Sequence, residues 1–168
     1  MNLREFITKY LIEEVGKIKS NHPFLAFSVM SIGIEFLGKC LNYTTIEDIC
    51  GDAGKGESAN NFNYAVCNLK SFAKYSFLCD SSLDSGNWLY HHLRCGFAHN
   101  FMVKQGLSLS GGSNDFSDKT NIIIGCKDFY DDFYSACCEL MEMEDKASLM
   151  AENFVDEENN ITGTTTNN

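Results

Sequence analysis

Proline is nearly missing from this chain, one residue (Pro23) in 168, which together with only 13 glycines excludes collagen-like and proline-rich linker architectures. No run approaches the roughly 18 uninterrupted apolar residues that a membrane-spanning helix requires, so no membrane association is expected. The start, MNLREFITKYLIEEVGKIK, has acids and lysines where a secretion signal needs a continuous apolar stretch. The expectation is a cytoplasmic protein without export. There are eight cysteines but no convincing disulfide framework. In a reducing compartment Cys40, Cys50, Cys67, Cys79, Cys95, Cys126 and the pair Cys137–Cys138 are expected as free thiols, acting mostly as small core hydrophobes. A Gly-x-Ser-x-Gly elbow is missing too, and no cysteine stands in a recognisable Cys-His context, which leaves acyl transfer without support.

What is present describes one compact domain: 44% hydrophobic, 21% charged and 12% aromatic residues. A chain of this length buries roughly 70% of its unfolded surface and needs neither metal nor disulfide to fold. The formal charge of −10 is unevenly placed, with −7 in residues 139–158 and −3 in the other 148 residues. An acidic end aids solubility and opposes broad DNA binding, but it leaves room for a site that grips a few phosphates.

Hydrophobic spacing gives the elements. Leu3, Phe6, Ile7, Tyr10, Leu11, Val15 and Ile18 recur at steps of three and four, an amphipathic helix ending ahead of Pro23. From Phe24 to Leu41 the chain is apolar nearly all round, as a helix buried on most faces must be. Further helices are expected from Ala59 to about Leu78, from Trp88 to about Met102, and from about Asp128 to Met150. GLSLSGG followed by TNIIIG reads as a β-hairpin within residues 106–125. The predicted fold is therefore all-α, a four- to five-helix bundle over residues 1–150 with a small hairpin insertion and an acidic, disordered tail at 151–168.

Three motifs invite chemistry. The loop CGDAGKGE (50–57) lacks the glycine and hydroxyl spacing of a phosphate-binding loop, and no strand precedes it, so it reads as an interhelical connection. His91, Cys95 and His99 fall four apart on one helix but span roughly 12 Å of its axis, too far to share one ion; no metal or other cofactor is expected. Glu35 interrupts the apolar helix and needs a partner if buried. That partner is Lys39, four residues on, or Arg94, because the chain has only one other arginine, Arg4.

The remaining segment is WLYHHLRCGFAHNF (88–101), where Arg94, a permanent planar cation, precedes His99, the one side-chain type that titrates near neutrality, by five residues. Residue types alone allow a structural arginine and a histidine that merely ends its helix on the negative dipole. The order of elements and the Arg94-x4-His99 spacing, however, resemble the HEPN superfamily of helical domains. The likeness covers most of residues 1–150: the long first helix, the apolar second helix with Ile34-Glu35, LRCGFAHNF, and the aromatic DFYDDFYSACCEL. The resemblance implies a metal-independent endoribonuclease of the toxin–antitoxin or phage-defence kind, active as a homodimer with both motifs lining one cleft. It implies His99 as the acid/base group and Arg94 as the phosphate clamp, with RNA cleaved by its own 2′-hydroxyl to a cyclic phosphate. An antitoxin or inhibitor protein is an implied partner. Active members usually carry a polar residue after the arginine, and here Cys95, a weak donor, stands there, with Asn100 the amide placed to compensate. Without that compensation the resemblance implies a non-catalytic dimeric module that binds a nucleotide, RNA or a partner protein.

Overall fold

The apolar stripes read from the sequence become one packed helical assembly with a small strand pair at its side. The computed structural model describes residues 1–51, 54 and 56–149; the expected acidic tail at 151–168 lies outside the described residues. Helix α1 (Leu3–Phe6) opens on a reciprocal cap: the Asn2 side chain accepts from the Glu5 N–H and the Glu5 carboxylate from the Asn2 N–H, each at 2.8 Å. The chain runs on through a π-helical stretch (Ile7–Glu13) into α2 (Glu14–Ile18), burying Leu3, Ile7, Leu11 and Val15 on one side.

Helix α3 (Pro23–Asn42) begins on proline, whose fixed φ and missing N–H suit a first helical position, and it forms the centre of the molecule. Phe27, Met30, Ile34 and Leu37 are buried along it. By length and composition α3 is apolar enough to cross a membrane, with an 18-residue window of mean hydropathy 1.6, yet 56% of that window is buried within the molecule. Glu35 and Lys39 interrupt its apolar run while leaving its mean hydropathy high. The helix packs on α5 (Glu57–Asn68) so closely that a Cβ at Gly38 would stand 1.8 Å from the Asn61 carbonyl oxygen. Its Gly33 faces α7 (Cys126–Met141) in the same manner, leaving space for the Phe133 ring.

Four expectations need correction. Besides the helices read from periodicity there is a short α4 (Ile46–Cys50), capped by the Thr45 hydroxyl on the Asp48 N–H. The helix expected from 59 to 78 ends at Asn68; Leu69 is extended, and a 3-10 helix (Lys70–Cys79) follows. The cause is remote in sequence: the Glu139 carboxylate on α7 accepts from the backbone N–H groups of Lys70 and Ser71, each at 2.8 Å, drawing both away from an α-helical ladder. The last helix likewise stops at Met141, and the chain folds back as α8 (Glu144–Ala147), where buried Lys146 donates to the Tyr43 carbonyl at the end of α3.

The fourth correction is the hairpin. Strands β1 (Leu107–Ser110) and β2 (Ile122–Gly125) pair in parallel, Leu107 opposite Ile122 and Ser110 opposite Gly125. The polar connection returns along the other side of β2, where Asp115 and Ile123 exchange two 2.9 Å backbone hydrogen bonds in antiparallel sense. Asn114 fixes this return, accepting from the Gly125 N–H and donating to the Tyr75 hydroxyl, each at 2.8 Å. Turn residues thus made a loop as expected, but side-chain anchoring carried it back to the start before β2 began. All eight cysteines are free thiols, and burial raises the Cys40 thiol to about 12.

The α3–α5 contact leaves no room for a methyl group. Gly38→Ala is expected to lower stability by about 3 kcal/mol in chemical denaturation, because backbone rather than a flexible side chain must move. Gly111→Ala, with no atom within 4 Å of its new Cβ, is expected to stay within about 0.5 kcal/mol of wild type.

Candidate functional site

The helix that carries the Arg94–His99 motif opens at Trp88, runs through a π-helical turn (Tyr90–Arg94) and continues without a break as α6 (Cys95–Asn100). Asn87 holds its entry: the Asn63 side-chain amide on α5 donates to the Asn87 side chain and to the Gly86 carbonyl, each at 2.9 Å. Its exit is set by Phe101, which adopts a left-handed φ of +56°. The chain then folds back over Gly96, where a Cβ would lie 2.5 Å from the Met102 carbonyl oxygen. Glycine is the residue this crossing admits.

Arg94 reaches across to α3, and its Nε–H donates to Glu35 Oε2 at 2.8 Å. Of the two partners open to Glu35, the remote one is used; Lys39 instead donates to the Gly51 carbonyl at 2.7 Å. The Arg94 side chain keeps 22% of its surface exposed and that of Glu35 11%. Glu35 takes only the Nε edge, so the terminal guanidinium N–H groups make no hydrogen bond among the described residues. Tyr90 lies under the guanidinium, with its ring centroid 5.9 Å from Cζ. Burial, with the neighbouring Cys95 thiol adding to it, pushes the Tyr90 hydroxyl up to about 12, so it stays protonated.

His99 and Asn100 are exposed at the end of α6, and neither makes a side-chain hydrogen bond among the described residues. Five helical steps separate Arg94 from His99 by about 140° around the axis, so one faces α3 and the other faces solvent. Cys95 is half-buried beside Tyr90. The i, i+4, i+8 trio therefore diverges: His91 Nδ1 lies 2.5 Å from Asp84 Oδ2, Cys95 meets Tyr90, and His99 points outward. His92 stacks on Trp88, centroids 4.0 Å apart and planes 15° from parallel.

An apolar surface adjoins the motif. Phe24, Leu25, Ile32, Phe101 and Met102 are all exposed, and Phe24 touches both Phe97 (4.9 Å) and Phe101 (6.1 Å). Leu25 and Ile32 are seven residues apart on one face of α3, and Glu35 borders that face. Sequence reasoning named the motif but not this surface; its signal was the apolar Phe101-Met102 pair directly after a helix end, where polar residues are usual. Comparison with protein families, curated proteins and solved structures finds no match to this chain.

Two measurements probe the geometry. Glu35→Ala strands a mostly buried guanidinium and is expected to cost about 2 kcal/mol in chemical denaturation, part of it recovered in the Glu35→Ala/Arg94→Leu double variant. Equal additive losses would show that the pair is not coupled. Burial also holds the His92 imidazole below its ordinary 6.5. The unfolded chain then binds the proton more readily, so this group's contribution to stability falls as pH drops below 6.5. Protonated imidazole quenches indole, so emission from Trp88, the one tryptophan, is expected to fall with a midpoint below 6.5, and His92→Gln to abolish the transition.

Proposed function

We propose that this chain is a HEPN-type domain that acts as a dimeric, metal-independent endoribonuclease. The observation that carries the reading is the manner in which Arg94 is held. Its Nε edge is fixed by Glu35 while the terminal N–H groups remain available, the state a phosphate clamp requires. His99, five residues further along the same helix and about 140° around its axis, is exposed and open to an RNA 2′-hydroxyl. In the proposed reaction His99 takes the 2′-hydroxyl proton as the oxygen attacks the adjacent phosphorus. The P–O5′ bond breaks, the departing 5′-oxygen receives a proton back through His99, and a 2′,3′-cyclic phosphate remains. Arg94 offsets the charge that gathers on the phosphoryl oxygens. DNA lacks the 2′-hydroxyl and resists.

A second copy of the chain is the proposed partner, and the exposed Phe24, Leu25, Ile32, Phe101 and Met102 beside the motif support it. Two such faces meeting about a two-fold axis would bury the apolar surface and bring both Arg94–His99 pairs to one cleft. A cytoplasmic setting and control by an inhibitor or antitoxin protein belong to the same proposal. One observation favours the non-catalytic alternative, a dimeric module for RNA, a nucleotide or a partner protein: Cys95, a half-buried thiol and weak donor, stands where active HEPN members carry a polar side chain.

The test is incubation with total RNA in chelator. Wild type is expected to yield cyclic-phosphate ends, and His99→Ala and Arg94→Ala to reduce the rate by roughly 10²-fold or more. Equal cleavage by all three proteins, or none by wild type, removes the enzyme; RNA binding that Arg94→Ala weakens, without product, establishes the module instead.

A further inference from the structure

Away from the Arg94–His99 motif a second concave site opens between the end of the 3-10 helix, the turn that follows it, and β2. It encloses about 390 Å³ and is lined by Phe77, Leu78, Leu83, Trp88, Phe116 and Ile122, with Asp80, Ser82 and Lys119 as its polar residues. Small-molecule sites typically run from about 300 to 1,000 Å³ and combine apolar walls with a few placed polar groups. None of Glu35, Arg94, Cys95, His99 or Asn100 takes part.

The walls are pre-formed. Phe116 is set edge-on by Phe77 at 5.5 Å and by Tyr75 at 5.7 Å, and the Tyr75 hydroxyl donates to Asp132 at 2.7 Å. Trp88 is backed by the stacked His92 ring, and a Cβ at Gly106 would lie 3.6 Å from its Cζ2. Two large apolar side chains nonetheless stay open at the cleft, Phe77 at 44% and Leu83 at 37% exposure. Surfaces of this kind, aromatic and rigid, take flat rings well.

Both charges in the lining are held by tight turns of one type. Asp80 Oδ1 accepts from the Ser82 N–H at 2.8 Å and its hydroxyl at 2.6 Å, which keeps the carboxyl ionised and leaves Oδ2 without a partner among the described residues. Asp118 closes in the same way on Thr120, at 2.8 and 2.7 Å, and so fixes the backbone that presents Lys119. Lys119 makes no ion pair among the described residues.

We propose that this cleft binds a small molecule with a planar aromatic ring, an N–H donor group for Asp80 and an acidic group for Lys119. Two sources share that chemistry, a nucleoside monophosphate and a free aromatic amino acid. Trp88 lines the cleft and is the only tryptophan, so its emission reports occupancy of this site directly. The full chain is titrated with adenosine 5′-monophosphate and, separately, with L-phenylalanine; ribose 5-phosphate and glycine serve as ring-free controls.

One of the two ring compounds is expected to give a saturable change in Trp88 emission, and that compound identifies the source; the controls are expected to give none. Lys119→Ala and Asp80→Asn, both exposed positions, are each expected to weaken binding about tenfold. The proposal is overturned if neither ring compound saturates, if the controls act equally, or if both variants bind as wild type does. RNA cleavage plays no part in the readout, so this outcome and that of the ribonuclease reading are independent.

Discussion

A carboxylate on the most deeply buried helix must find a cation, and Arg94 is the one that reaches Glu35. The contact joins α3 to the helix carrying the motif across 59 positions of sequence, and it orients the guanidinium by one edge only. An arginine satisfied on both edges would be a structural strut. Held by Nε alone, it is fixed in place and still has donors to offer. The carboxylate that a buried helix must neutralise thereby also positions the group that can meet a phosphate.

The helices around this pair are shaped by contacts from far along the chain. Glu139 takes the first N–H groups of the 3-10 helix, Asn63 ties down the entry to the Trp88–Asn100 helix, and Lys146 reaches the end of α3. Each of these polar anchors joins segments that a local pattern treats as independent. They also account for the interrupted helices: a helix stops where its backbone groups find better partners elsewhere.

Aromatic residues serve two different surfaces. Around Phe24 and Phe101 they are exposed beside the motif, which suits another protein face. Around Phe77, Phe116 and Trp88 they line a concavity with one acid and one base, which suits a small molecule. The concavity and its paired charges separate the second surface from the first.

Much of the helical framework was legible because burial imposes a period. The stripe Leu3, Ile7, Leu11, Val15 is buried as its spacing requires, and α3 occupies Pro23–Asn42 against the expected Phe24 to Leu41. The Arg94–His99 segment was also legible as a helix with a charged and a titratable group. Strand direction was not: a parallel pair with an antiparallel bridge on its far side depends on Asn114 meeting Gly125 and Tyr75, contacts that no local pattern encodes. For Glu35 the sequence offered two partners, Lys39 and Arg94, and tertiary packing chose Arg94. The sequence by itself determined which apolar stripes become buried helices, since periodicity acts within a few residues. Only the tertiary structure decided which charges meet, which helices break and where a cleft opens, because these follow from groups brought together across the whole chain.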